Sequence, residues 1–193
     1  MKKIIIIRGI PGAGKTTLAT RLEGELNGMG ISCVHHEADQ YFAEDPRRYL
    51  PTKAGAVYDW VIGKTRESIQ HFDVVIVSNM NIHVYDVYKY VAIADESRAE
   101  NIVFRLDSDY GNVHGVKPSV IKSLKRDFEP YDGEHIVSDT EAEYDSIVNL
   151  ITEGFIPREE KEELLPPEAS SPSPESEVPA EHADETPEPD ESK

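Results

Sequence analysis

Gly9-Ile10-Pro11-Gly12-Ala13-Gly14-Lys15-Thr16 fits the spacing G-x-x-x-x-G-K-[ST] of a phosphate-binding P-loop. The residue types carry the chemistry. The glycines give backbone geometries closed to other residues and let peptide N–H groups come close to phosphate oxygens. A helix opening at Lys15 aims its positive end at the same anion. Lys15 can reach β- and γ-phosphates as a point charge, and the Thr16 hydroxyl can coordinate Mg2+. The set expected to hold the nucleotide is therefore Gly9, Ile10, Pro11, Gly12, Ala13, Gly14, Lys15, Thr16 and Thr17. ATP and Mg2+ are the expected cofactors. Alone the pattern also turns up by chance; here it leaves an apolar run directly and opens a helical one.

The flanks agree with that reading. Lys3–Arg8 is a continuous β-branched run, the mark of a strand buried on both faces. Helical spacing follows from about Lys15 to Asn27, closed by Gly28 and Gly30. Ile31–His35, Asp73–Val77, Ile102–Leu106 and His135–Val137 read as further strands. Thr52–Phe72, Val84–Ala99 and Pro118–Phe128 read as helices, and Thr140 with Glu143 has capping-box spacing before a last apolar face. Strands alternating with helices at these lengths give an α/β protein with a parallel β-sheet flanked by helices, the P-loop NTPase fold.

The chain has 193 residues and a formal charge of −17. Residues 157–193 hold 13 acidic and 3 basic side chains and 8 of the 13 prolines, with no aromatic residue. Such a segment cannot bury enough apolar surface to offset chain entropy, so it is expected to be a disordered acidic tail beside a kinase-sized domain at 1–156. The tail either only solvates the domain or contacts a basic partner or its own domain's groove. The acidic balance argues against general duplex-DNA binding. Cys33 is the single cysteine, which excludes an intrachain disulfide and a cysteine-based zinc site, and reads as a small buried apolar residue. No apolar run reaches the roughly 20 residues of a membrane helix, and Arg8 ends the N-terminal isoleucine run too early for a signal peptide. The expectation is a soluble, cytoplasmic protein that does not enter membranes.

A P-loop protein commonly has an acidic residue ending a buried strand. The strand Asp73–Val77 runs instead into Ser78-Asn79-Met80-Asn81. Asp39, in Glu37-Ala38-Asp39-Gln40-Tyr41-Phe42, is the nearest alternative. Ligands of open parallel sheets bind at the carboxyl ends of strands, so Asp39 is a candidate to face the γ-phosphate and accept a proton from a hydroxyl nucleophile. A plain turn or N-cap aspartate is the competing reading.

Gly9–Thr17, Asp39-Gln40-Tyr41-Phe42, Val75–Asn81 and Asn112–Glu129 together resemble the polynucleotide 5′-kinase branch of P-loop kinases. That branch includes bacteriophage polynucleotide kinases and AAA-type predicted kinases, with zeta-toxin-like kinases as more distant relatives. The resemblance spans about residues 1–150 and implies that Asp39 is the general base. Asn112-Val113-His114-Gly115-Val116 resembles an N-x-H-G-V-P signature, with Lys117 where the signature has proline. The strand-end motif of the family carries an aspartate where this chain has Ser78-Asn79-Met80-Asn81. What the resemblance implies is transfer of the ATP γ-phosphate to a hydroxyl, foremost a nucleic acid 5′ end.

Lys117, Lys122, Lys125 and Arg126 share the basic side of the helix whose apolar side is Val120, Ile121, Leu124 and Phe128. Arg126, for its bidentate geometry, and Lys122 are the candidates for a lid that covers the triphosphate; an ordinary solvated helix face is the alternative. Arg47, Arg48 and Lys53 form a second basic cluster where an acceptor phosphate could dock. His114 either orients the lid loop, touches substrate, or is a structural loop histidine. His35 and His36 are adjacent on a strand and point to opposite faces, which argues against a shared metal. Two other functions compete with the leading one: a nucleoside or nucleotide kinase, and an ATP-binding adaptor with little turnover.

Overall fold

From Lys3 to Arg8 every residue is buried, including the two charged ends. This strand, β1, therefore has neighbours on both edges and both faces. The computed structural model describes residues 1–44, 54–111 and 115–155. Among these, five parallel strands form one sheet in the order β2-β3-β1-β4-β5, with β2 at Cys33–His36, β3 at Val74–Ser78, β4 at Glu100–Leu106 and β5 at His135–Val137.

Side-chain alternation along β1 divides the core. Ile5 and Ile7 meet Leu18, Leu22 and Leu26 of helix α1 (Lys15–Gly28) and Ile147, Val148 and Ile151 of α6 (Tyr144–Thr152). Ile4 and Ile6 meet Val61 of α3 (Ala54–Ser68) and Val87, Tyr90 and Ile93 of α4 (Val84–Ser97). Each fully buried isoleucine contributes about 1.5–3 kcal/mol of transfer free energy, so β1 anchors both layers. Because β1 lies between β3 and β4, the loop leaving its carboxyl end sits where the winding of the sheet reverses, the usual place for a ligand.

One element was not expected from the sequence, and two local readings need correction. A seven-residue helix, α2 (Ala38–Glu44), follows β2 directly. It is too short to show a 3.6-residue period, and Gln40 holds its start by accepting from the Glu37 amide and donating to the His35 carbonyl. Ile31 belongs to the end of α1 rather than to β2. Gly30, at φ +78°, donates to the Asn27 carbonyl and Ile31 to the Leu26 carbonyl, the paired bonds of a Schellman ending. The cap before α6 is built on Asp139 instead of Thr140. Asp139 Oδ1 accepts the amides of Glu141 and Ala142, while Glu143 Oε1 reaches back to the amides of Ser138 and Asp139.

The helix α5 (Pro118–Asp127) has no fully buried residue. Ile121, Leu124 and Phe128 rest on the core, whereas Val120 faces solvent. Arg47, Arg48, Lys53, His114 and the acidic segment 157–193 lie outside the described residues. No helix among the described residues is long and apolar enough to cross a membrane.

Candidate functional site

The loop between β1 and α1 is tied down on three sides. The Gly9 amide donates to the Met80 carbonyl, the Ala13 amide to the Ile10 carbonyl, and the Tyr110 amide to the Gly12 carbonyl at 3.0 Å. Gly9 is required twice over: its φ is +155°, and a Cβ there would stand 2.8 Å from the Leu106 carbonyl oxygen. Gly14 caps α1 in the left-handed region at φ +87°. The first amides of α1 have no intrahelical partners by construction, and they face the loop.

A cavity of about 380 Å³ opens over this loop. Its lining includes Pro11, Gly12, Gly14, Lys15, Thr16 and Thr17 of the expected nucleotide set, together with Asp39. Gly9, Ile10 and Ala13 support the loop from below, with Ile10 and Ala13 part of the core. Lys15 Nζ donates to the Ile10 carbonyl at 2.9 Å. Burial pulls the Lys15 ammonium down to about 8, and the carboxylates of Glu37 and Asp39 partly oppose that pull.

Glu37 is the residue that sequence reasoning missed. Its Oε2 accepts from Thr16 Oγ1 at 2.7 Å and from Ser78 Oγ at 3.0 Å. Ser78 Oγ also lies 2.6 Å from His35 Nε2. A hydroxyl has one proton, so with the Ser78 proton on Glu37 the His35 ring donates through Nε2–H. Burial lowers the His35 pKa first, opposed by Glu37 and Glu23. The ring is then neutral near pH 7.

The register explains the arrangement. His36 pairs with Val77, so the next residues, Glu37 and Ser78, end adjacent strands side by side. The carboxylate absent from the end of β3 stands on the end of β2. Its sequence signal was its place two residues before Asp39, and reading it required knowing that β2 and β3 are neighbours.

The far wall consists of Tyr58 from α3 with Ser78, Asn79 and Met80 from the end of β3. Asn79 Oδ1 accepts the Ala38 amide at 2.9 Å and so links β3 to α2. Opposite, Tyr110 and Gly111 follow β4, and the Tyr110 hydroxyl bonds Thr140 Oγ1 at 2.8 Å. Among the described residues from Gly115 through α5, only Val116 lines the cavity. Lys122 is exposed on α5, and Arg126 pairs with Asp127 of its own helix at 2.8 Å, so neither candidate lid cation meets the loop in this structure.

Thr16 Oγ1 and Glu37 Oε2 are hard oxygen donors of the type Mg2+ takes. That ion is commonly held by one or two protein oxygens plus water and phosphate rather than by a protein cage. The donor set fits it. Among the described residues no group of three or more His, Cys, Asp or Glu could hold a metal by itself. His35 and His36 do point apart, His36 Nε2 meeting Ser68 Oγ at 2.8 Å. Cys33 is buried, and burial raises its thiol pKa.

Known proteins resemble this chain in sequence and in fold. The family model described as "Chromatin associated protein KTI12" matches residues 3–132. Among solved structures, Chaetomium thermophilum Kti12 in complex with ADP-AlF3 is 15% identical with a TM-score of 0.60, covering 79% of this chain and 99% of that one. The Mycobacterium tuberculosis APS kinase CysC in complex with AMPPNP and APS is 11% identical with a TM-score of 0.58, covering 78% and 97%. Both show the P-loop NTPase-like fold. Human NEDD4-binding protein 2 is 23% identical over 140 residues, which are 66% of this chain but only 8% of that much longer protein.

Proposed function

The chain belongs to the family of chromatin-associated KTI12 proteins, and from that premise we propose that it binds ATP with Mg2+ and transfers the γ-phosphate to a hydroxyl acceptor. The observation that carries the reading is one convergence: Lys15 and Thr16 from the β1–α1 junction and Glu37 and Asp39 from the β2–α2 junction meet on one cavity. The ADP-AlF3 in the Chaetomium Kti12 structure and the AMPPNP and APS in the APS kinase structure support it through the shared fold.

Each residue has a defined task. The loop amides and the start of α1 bind the phosphate chain. Lys15 leaves the Ile10 carbonyl and neutralises charge between the β- and γ-phosphates. Thr16 and Glu37 would hold Mg2+, which when bound neutralises charge on the phosphate oxygens. Asp39 takes the proton of the acceptor hydroxyl as that oxygen attacks. His35 and Ser78 orient the Glu37 carboxylate from behind.

For the acceptor we favour the 5′-hydroxyl of a nucleic acid end, which the motif resemblance implies, with Arg47 and Arg48 binding its phosphates and His114 near the substrate. A short end needs only a few such contacts, which a net acidic chain can still supply locally. A nucleoside or nucleotide acceptor is the second kinase reading. The exposed positions of Lys122 and Arg126 favour a further one, an ATP-dependent adaptor with slow turnover and a basic partner for the acidic segment. Transfer from labelled ATP to a panel of nucleosides, monophosphates and 5′-hydroxyl DNA and RNA oligomers decides among them. Labelled oligomers are expected. Label only on nucleosides or monophosphates selects the second reading, and slow acceptor-independent ADP release selects the adaptor.

A further inference from the structure

Tyr110 is solvent-exposed yet fixed. The residue is 59% accessible, so its two hydrogen bonds rather than burial hold it in place. Its amide donates to the Gly12 carbonyl, and its hydroxyl bonds Thr140 Oγ1 on the loop before α6. Between these ties the ring packs against Gly14, where a Cβ would meet Tyr110 Cε2 and Cδ2 at 3.1 and 3.2 Å. Tyr110 thus lines the cavity while its backbone is anchored to the phosphate loop itself.

The direction of a bound triphosphate follows from the charges. Lys15 and Asp39 mark the γ-phosphate end, and the loop amides hold the phosphates nearer the sugar. The nucleoside must then leave on the side away from Asp39. Tyr110 and Gly111 form that side. A pre-ordered aromatic face offers stacking area with little rotamer entropy left to lose, and every base has a π-face to put on it.

We propose that Tyr110 is the stacking platform for the base of the bound nucleoside triphosphate. This rests on the nucleotide reading given above and adds the subsite that holds the base. Stacking does not read a base's hydrogen-bonding edge, so the platform contributes by the same factor to adenine and guanine nucleotides.

The test is calorimetric titration of the full chain with Mg-ATP, Mg-GTP and Mg-tripolyphosphate, comparing wild type with Tyr110→Ala, Tyr110→Phe and Lys15→Ala. Tyr110→Ala is expected to weaken ATP and GTP by a common factor of about 5–100, the weight of one stacked base, and to leave tripolyphosphate within about twofold. Tyr110→Phe keeps the ring and stays within about threefold of wild type for all three ligands. If Tyr110→Ala weakens tripolyphosphate as much as ATP, the residue shapes the loop and the platform is overturned. Unchanged ATP affinity in Tyr110→Ala overturns it as well. Those two results leave the nucleotide site standing, whereas ATP and tripolyphosphate binding that survive Lys15→Ala overturn the site and the platform together.

Discussion

Burial disfavours the Lys15 ammonium and pulls its pKa down to about 8 in the free protein, well below an ordinary lysine. The sign of the consequence is fixed. Below that pH the cation is ready for phosphate; above it, binding must first take up a proton. Triphosphate affinity is expected to be flat below about pH 8 and to fall by up to tenfold per pH unit above it, and titration calorimetry in buffers of different ionisation heat checks the proton uptake. Lys15→Ala is expected to bind weakly with no such slope. The two acids separate by ligand. Asp39→Asn is expected to leave ATP affinity within a few-fold and lower transfer by about 10²–10⁴, the weight of a general base. Glu37→Gln is expected instead to raise the Mg2+ concentration needed for half-maximal turnover. Transfer in Asp39→Asn within threefold of wild type would make Asp39 structural. The place of Asp39 on the cavity was legible in the sequence because it stands in a recognisable segment, while that of Glu37 was not, since its partners Thr16 and Ser78 lie 21 and 41 residues away.

The elements divide in the same way. The strands around the loop and the long helices could be read because burial on two faces or on one stripe leaves a period in the sequence. Helix α2 leaves none, and the Asp139 cap hid behind a neighbouring Thr140 that has the more familiar spacing. At the end of α1 two glycines looked alike and are not. Gly28 is the last helical residue with open space around it, whereas Gly30 holds a left-handed φ of +78°. Gly28→Ala is therefore expected to stabilise the protein by about 0.5–1 kcal/mol, through loss of freedom in the unfolded chain. Gly30→Ala is expected to destabilise it by about 1–2 kcal/mol, since a Cβ is disfavoured at that φ. Urea denaturation of the two variants checks both signs at once, and equal shifts would remove the Schellman assignment.

For the whole molecule, composition places the boundary of the folded unit near residue 156, and Phe155 just before it still packs against the core. Deleting residues 157–193 is expected to change the thermal midpoint by no more than about 2 °C, the range of surface changes that touch no core; differential scanning fluorimetry measures it. A larger loss would mean that the acidic segment is part of the folded unit. The sheet order was out of reach of the sequence, because periodicity says what a strand buries and not which strand it adjoins. That order also has a cost in time. Lys3 of the central strand pairs with Val74 on one edge and Glu100 on the other, so its partners arrive about 70 and 100 residues later. At a synthesis rate of about 5–20 residues per second, four consecutive isoleucines spend several seconds outside the ribosome with neither edge satisfied. A segment that ends fully buried in the finished protein is thus one in need of a chaperone while the protein is being made.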